Sequence, residues 1–192
     1  MKNYRKVLGA GVVLGVAAVL AVGFSMGEAI GAGHKKMKPC CDDASIKYSK
    51  SLWSAMTTAN LVGKSAINSR PYEGQAPHGA VLQTLDSSVT VGKHAGRVIV
   101  KKNFGPKGIT LKDVWTDPNK HLKAVTVMFK REKGYDKDNA DWFWAKYKPD
   151  GSLDKNPKGM QLAGRVMKGA DKGCIACHSG ADGKDYLFIN DK

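Results

Sequence analysis

VLQTLDSSVTVGKHAGRVIVKKN, residues 81–103, decides the fold class. Three runs rich in β-branched residues lie within it: Val81 to Leu85, Val89 to Val91 and Arg97 to Asn103, separated by Asp and Gly. Short apolar runs broken by turn formers read as strands. The pattern continues outward toward the C-terminus. Ile109 to Val114 is a further β-branched run. In His121 to Lys130, Leu122, Ala124 or Val125, Val127 and Phe129 alternate with more polar neighbours, and Trp142 to Tyr147 is an aromatic strand. Short strands at near-regular spacing predict an antiparallel sheet.

Around this centre the periodicity changes. Ile46, Leu52, Trp53, Met56, Ala59 and Leu61 recur at helical spacing, which predicts a helix over 44–61. Residues 68–79 are a loop rich in Asn, Ser, Pro and Gly, and 149–159 is a second loop opening on Pro149-Asp150-Gly151. Leu162, Val166 and Ala170 fall four apart, which predicts a helix over 161–170 leading into a cysteine motif. The expected fold is therefore α+β: a predominantly antiparallel β-sheet with an N-terminal helix and a short helix before the C-terminal motif.

The N-terminal region concerns targeting. Lys2, Arg5 and Lys6 precede an uncharged apolar run, Val7 to Phe24, and small residues follow from Gly27 to Gly33. This is the pattern of a secretory signal peptide over 1–33. An uncleaved membrane anchor is the alternative, because 18 apolar residues are at the lower limit for crossing a bilayer. Either reading puts residues 44–192 outside the cytoplasm, with membrane contact only through an uncleaved N-terminus. Residues 34–43 read as a linker. Its Cys40-Cys41 pair admits a strained bridge, an intermolecular bridge or metal binding with His34, with an inert linker the simplest reading.

With 31 Lys and Arg against 17 Asp and Glu, the chain carries a formal charge of +14, spread along its length. Diffuse positive charge suits anionic partners or surfaces. No nucleic-acid motif accompanies it, which argues against a nucleic-acid partner.

Cys174-Ile175-Ala176-Cys177-His178 carries the chemistry. C-x-x-C-H is the spacing for haem c attachment. Two thiols three residues apart reach the two vinyl groups of one porphyrin, and the next residue, His178, supplies the proximal nitrogen to iron. A zinc site would need a second ligand pair, which the vicinal cysteines supply poorly. Only 14 residues follow His178, and none is Met or His. A sixth protein ligand would come from upstream, where Met128, Met160, Met167, His78, His94 and His121 are formal candidates. The simplest expectation is a five-coordinate iron that binds NO, CO or hydroxylamine; the alternative is a six-coordinate electron-transfer haem, with Met128 the first ligand to suspect.

With these residues in view, 45–190 resembles the cytochrome P460 and cytochrome c′-β family. Three stretches carry the resemblance. Asp185-Tyr186-Leu187-Phe188 follows the haem motif at the family's distance, Asp141-Trp142-Phe143-Trp144 resembles its aromatic strand, and Gly96-Arg97-Val98-Ile99-Val100-Lys101 resembles a Gly-x-Val-x-Val-Lys strand. The resemblance implies a periplasmic, mostly β, monohaem protein acting on hydroxylamine or NO, a redox partner cytochrome and a possible homodimer. It also implies a haem–lysine bond at Lys101. Strand alternation places Arg97, Ile99 and Lys101 on one face, facing haem or water, and Lys102 replaces Lys101 if the register slips by one. The position matching the family's distal carboxylate is Thr126, with Met128 two residues on. Thr has no useful acid or base pKa, so such a pocket suits gas binding better than proton-coupled oxidation.

Overall fold

The structure is a computed structural model, described here for residues 41–188. Both residues 1–33, expected to be an export segment, and Cys40 lie outside that range.

Helix α1 spans Asp43–Thr58. Asp42 caps it by accepting the Ser45 N–H at 2.7 Å, which satisfies one of the orphan donors of the first turn. Residues expected in the linker are thus tied to the body: Cys41 is disulfide-bonded and donates its N–H to Ala163 O at 3.0 Å. Six strands follow in one sheet, β1 (Tyr72–Glu73), β2 (Val81–Val91), β3 (His94–Phe104), β4 (Leu122–Lys130), β5 (Trp142–Tyr147) and β6 (Ala163–Gly164). Each pairs antiparallel with the next, in sequence order. The runs 81–85 and 89–91 are one strand. Asp86 does not interrupt it, because its carboxylate accepts from Arg97 Nε at 3.0 Å on the neighbouring strand. Gly92 makes the tight β2–β3 turn with φ of +64°.

Two expectations are corrected. Residues 109–114 are not a strand. Thr110 and Asp113 form a reciprocal capping box that starts helix α2 (Leu111–Thr116), and α3 (Pro118–His121) follows. The capping pair outweighs the β-branched content. Residues 161–170 are not a helix either. Two of them form β6, which ends on Gly164 in the left-handed region, and beyond it the chain turns through the same region at Met167 and Gly169, where no helix continues. The helix at this end is the cysteine motif itself, α4 (Cys174–His178).

Strand alternation gives the sheet two different faces. On one, Val98, Val100, Val127, Phe129, Phe143 and Tyr147 bury against Leu52 and Met56 of α1. Each such side chain stabilises the fold by roughly 1.5–3 kcal/mol. Tyr147 OH donates to Ser49 O at 2.9 Å and closes this core. On the other face, Met128, Trp142 and Trp144 cluster with Val166 and Ile175.

Lys102 points to the α1 side. It is only 4% exposed, and its Nζ donates to Ile67 O at 2.6 Å and to Asn68 Oδ1 at 3.2 Å. Burial pushes its pKa down to about 8. The folded value lies below the unfolded one, so the fold resists protonation of this amine. Stability rises as pH increases from 8 toward the unfolded value. The penalty is complete below pH 8. In urea titrations, wild type should gain roughly 2–3 kcal/mol over Lys102→Met between pH 7.5 and 10. A difference that does not change with pH contradicts this assignment.

Candidate haem site

The second sheet face holds the candidate site. Its rows follow from the register. Ile99 pairs with Met128 and Met128 with Trp144. Two residues along, Lys101 pairs with Thr126 and Thr126 with Lys146, and beyond these lies Asn103. Lys101 and Thr126 are thus cross-strand neighbours on the face that carries α4, whereas Lys102 is turned away from it.

α4 presents its residues through a narrow approach. Gly173 caps it at φ of +120°, and a Cβ there would lie 2.5 Å from Met167 Cβ, so both conformation and space demand glycine. Cys174 is half-buried and Cys177 exposed, and both thiols are free. Burial raises the Cys174 pKa.

His178 is held on three sides. Its Nδ1 lies 2.7 Å from Tyr186 O. A carbonyl only accepts, so Nδ1 carries the proton and Nε2 keeps its lone pair, the tautomer of a metal-ligating imidazole. Tyr186 takes φ of +61°, a conformation bulky residues rarely adopt, and this turns its carbonyl to the ring. Trp144 and Phe188 meet the imidazole at centroid distances of 5.0 and 5.3 Å, tilted by 68° and 66°. Burial lowers the His178 pKa, the Tyr186 bond opposes that, and Lys101 adds to it.

Asp185-Tyr186-Leu187-Phe188 therefore has a structural explanation. Asp185 is anchored by Lys130 Nζ at 3.1 Å and Arg97 NH1 at 3.5 Å, and its carbonyl accepts the Trp142 Nε1 proton at 3.0 Å. This anchorage delivers the Tyr186 carbonyl and the Phe188 ring to His178.

Cations on this face are mostly paired: Arg97 and Lys130 with Asp185, Lys146 with Asp154 at 2.9 Å. Lys101 has no carboxylate partner among the described residues. Burial lowers its pKa, and the charge of Cys177 opposes that shift. A sulfur bonded as a thioether carries no charge, so attachment would remove that opposition and favour the free amine. Thr126 Oγ1 accepts from Asn103 Nδ2 at 3.1 Å. Met128 is 6% exposed, packed within the Trp142–Trp144 cluster.

Two residues escaped the sequence reading. Asn103 links Thr126 to His78, whose Nδ1 lies 2.9 Å from Asn103 Oδ1. Its only signal was a position two beyond Lys101 in the alternation. Trp144 Nε1 is buried without a hydrogen-bond partner among the described residues.

These residues fit a haem. The cluster of Met128, Trp142, Val166 and Ile175 offers apolar surface to a porphyrin, the unsatisfied Trp144 donor suits a polar atom of a bound group, and the two thiols and His178 Nε2 stand together. No curated protein and no solved structure matches the chain. The Cytochrome P460 family model matches residues 59–189, which include β1 to β6 and the whole cysteine motif. The chain belongs to the cytochrome P460 family, and it is a haem-binding cytochrome.

Proposed function

We propose that this chain is an exported, periplasmic monohaem c-type cytochrome that binds or converts a small nitrogen ligand, hydroxylamine or NO, at the iron face opposite His178. Haem c is held through thioethers at Cys174 and Cys177. The observation that carries the reading is His178 itself, with Nδ1 committed to Tyr186 O and Nε2 without a hydrogen-bond partner among the described residues, in the same short helix as two free thiols. When bound, the haem supplies one-electron chemistry and a coordination position for small ligands. The protein's residues orient the imidazole, surround the porphyrin with apolar side chains and, if the chain is an enzyme, pass electrons to a partner cytochrome.

Ligand capture is favoured over turnover by the state of Thr126. Its hydroxyl is already hydrogen-bonded to Asn103, Asp86 is held by Arg97, and Asp185 is held by Arg97 and Lys130. Lys101, an amine without a carboxylate partner among the described residues, supports the haem–lysine bond that the resemblance implies.

Optical titration of the purified ferrous and ferric protein with NO and hydroxylamine tests the function. The expected result is a spectral change saturating at one ligand per haem. Absence of any change with both ligands removes the proposal. For Lys101, the expected result is a red-shifted Soret band in wild type that reverts to an ordinary c-type position in Lys101→Ala. Identical spectra refute the lysine bond.

A further inference from the structure

We propose that His78 is the sixth iron ligand of the resting protein, bonding through Nε2, and that small ligands enter by displacing it. This rests on the haem reading given above. The expectation of a five-coordinate iron followed from the lack of any Met or His downstream of the motif. The fold instead brings an upstream histidine to the site.

Hydrogen bonding defines the state of the His78 ring. Asn103 Nδ2 donates to Lys101 O at 2.8 Å and to Thr126 Oγ1 at 3.1 Å, while Asn103 Oδ1 also receives the Gly79 N–H at 3.3 Å. That oxygen only accepts, so His78 Nδ1 is the donor and Nε2 keeps a lone pair with no partner among the described residues. His178 has the same arrangement against Tyr186 O. Two imidazoles thus meet with Nδ1 pinned and Nε2 available, the form in which histidine binds metal.

Their spacing suits a shared iron. The ring centroids are 6.2 Å apart and the planes cross at 84°. Metal–imidazole bonds of about 2 Å each, with the two ring radii added, give roughly 6 Å. An iron-bound ligand between His178 and a merely hydrogen-bonding His78 would need a wider gap. The supports of the two rings also oppose each other: Asn103 holds His78 and Trp144 meets His178, on either side of the Lys101–Thr126–Lys146 row.

The backbone fixes this approach. Gly74 N–H donates to Ala80 O at 2.9 Å, closing the loop that carries His78. A Cβ at Gly79 would lie 2.4 Å from Phe104 O, so the segment runs directly against β3 and only glycine allows it. Three of the rivals are placed otherwise. Met160 is 40% exposed, and Met128 packs among the tryptophans. His94 Nε2 is bonded to Lys130 O at 3.0 Å, with its ring against Phe129.

The test uses haem-loaded full-length protein, with haem content verified by intact mass. Near-infrared magnetic circular dichroism and electron paramagnetic resonance of the ferric wild type should report a low-spin iron with two imidazole ligands. His78→Ala should become high-spin, bind CO at least ten-fold faster and return to low-spin on addition of free imidazole. A high-spin wild type, a wild-type axial pair other than two imidazoles, or a low-spin His78→Ala without added imidazole overturns the assignment. The wild-type measurement decides it alone if the variant does not load haem. Haem-loaded protein that binds neither NO nor hydroxylamine, yet is low-spin with two imidazoles, refutes the small-ligand function and leaves the His78 ligation standing. A mass equal to the polypeptide alone removes the haem reading and this inference together.

Discussion

Replacing both Cys174 and Cys177 with alanine in a Lys101→Ala background, where no lysine bond can hold the porphyrin, should yield, in cells carrying a haem-ligation system, a protein whose mass is that of its amino acids alone and whose colour is lost on denaturation. Each thioether ties one vinyl carbon to one sulfur, so the single variants should keep one bond and the double variant none. α4 is only five residues long, and Gly173 before it admits no other side chain, so the two sulfurs have little freedom to be replaced by a neighbour. Alanine removes no core volume at Cys177, which is exposed, and the sheet should fold in either single variant. Mass spectrometry under denaturing conditions reads the result directly. Haem retained covalently in the double variant excludes attachment at this motif.

Loss of stability should be largest, outside the apolar core, at Asp136. Its carboxylate is fully buried and accepts from Lys168 Nζ at 2.5 Å and Asn139 Nδ2 at 2.9 Å, with Arg165 Nε at 3.8 Å. Arg165 also donates to Tyr135 O and lies over the Tyr135 ring, its guanidinium 4.2 Å from the centroid. Asp136→Ala removes the buried anion these donors share and leaves the Arg165 and Lys168 charges facing one another, with only Tyr135 O and the exposed Asp138 still accepting from them. Removing one partner of a buried charged network costs about 3–5 kcal/mol. Asp138 offers an internal control. It also bonds Lys168, at 3.1 Å, but its side chain is 82% exposed. Asp138→Ala should cost well under 1 kcal/mol. Equal urea midpoints for the two variants would show that burial does not decide the matter. The haem motif should respond as well, because the Asp136 network fixes the 165–168 turn, and Met167 in that turn packs against Gly173. Thus Asp136→Ala should also load haem poorly, while Asp138→Ala loads normally.

Much of this arrangement was legible from local pattern. Trp142 to Tyr147 coincides with β5, because aromatic side chains at nearly successive positions suit a strand buried on both faces. Alternation over 97–101 correctly put Lys101 and Val100 on opposite faces, since a period of two leaves no freedom once Val98 and Val100 are buried. The spacing of the cysteine motif was unambiguous. What failed was the apolar spacing of Leu162, Val166 and Ala170. Four-residue spacing is necessary for a helix but not sufficient, and the positive φ at Gly164, Met167 and Gly169 is set by packing that a short window does not contain. His78 was one of six candidate ligands in sequence. It separates from the others only when β3 brings Asn103 beneath it, a pairing between residues 25 apart.

The order in which the strands pair has a consequence for how the protein matures. Every strand bonds to the one made just before it, from Tyr72 to Gly164, and only then does the chain reach Cys174. Neighbour-to-neighbour pairing closes short loops and folds without waiting for distant partners. The scaffold can therefore consolidate while its last segment, bearing both thiols, is still undocked; under the proposed thioether attachment, that segment would be modified first and the docking of Asp185 against Lys130 would follow.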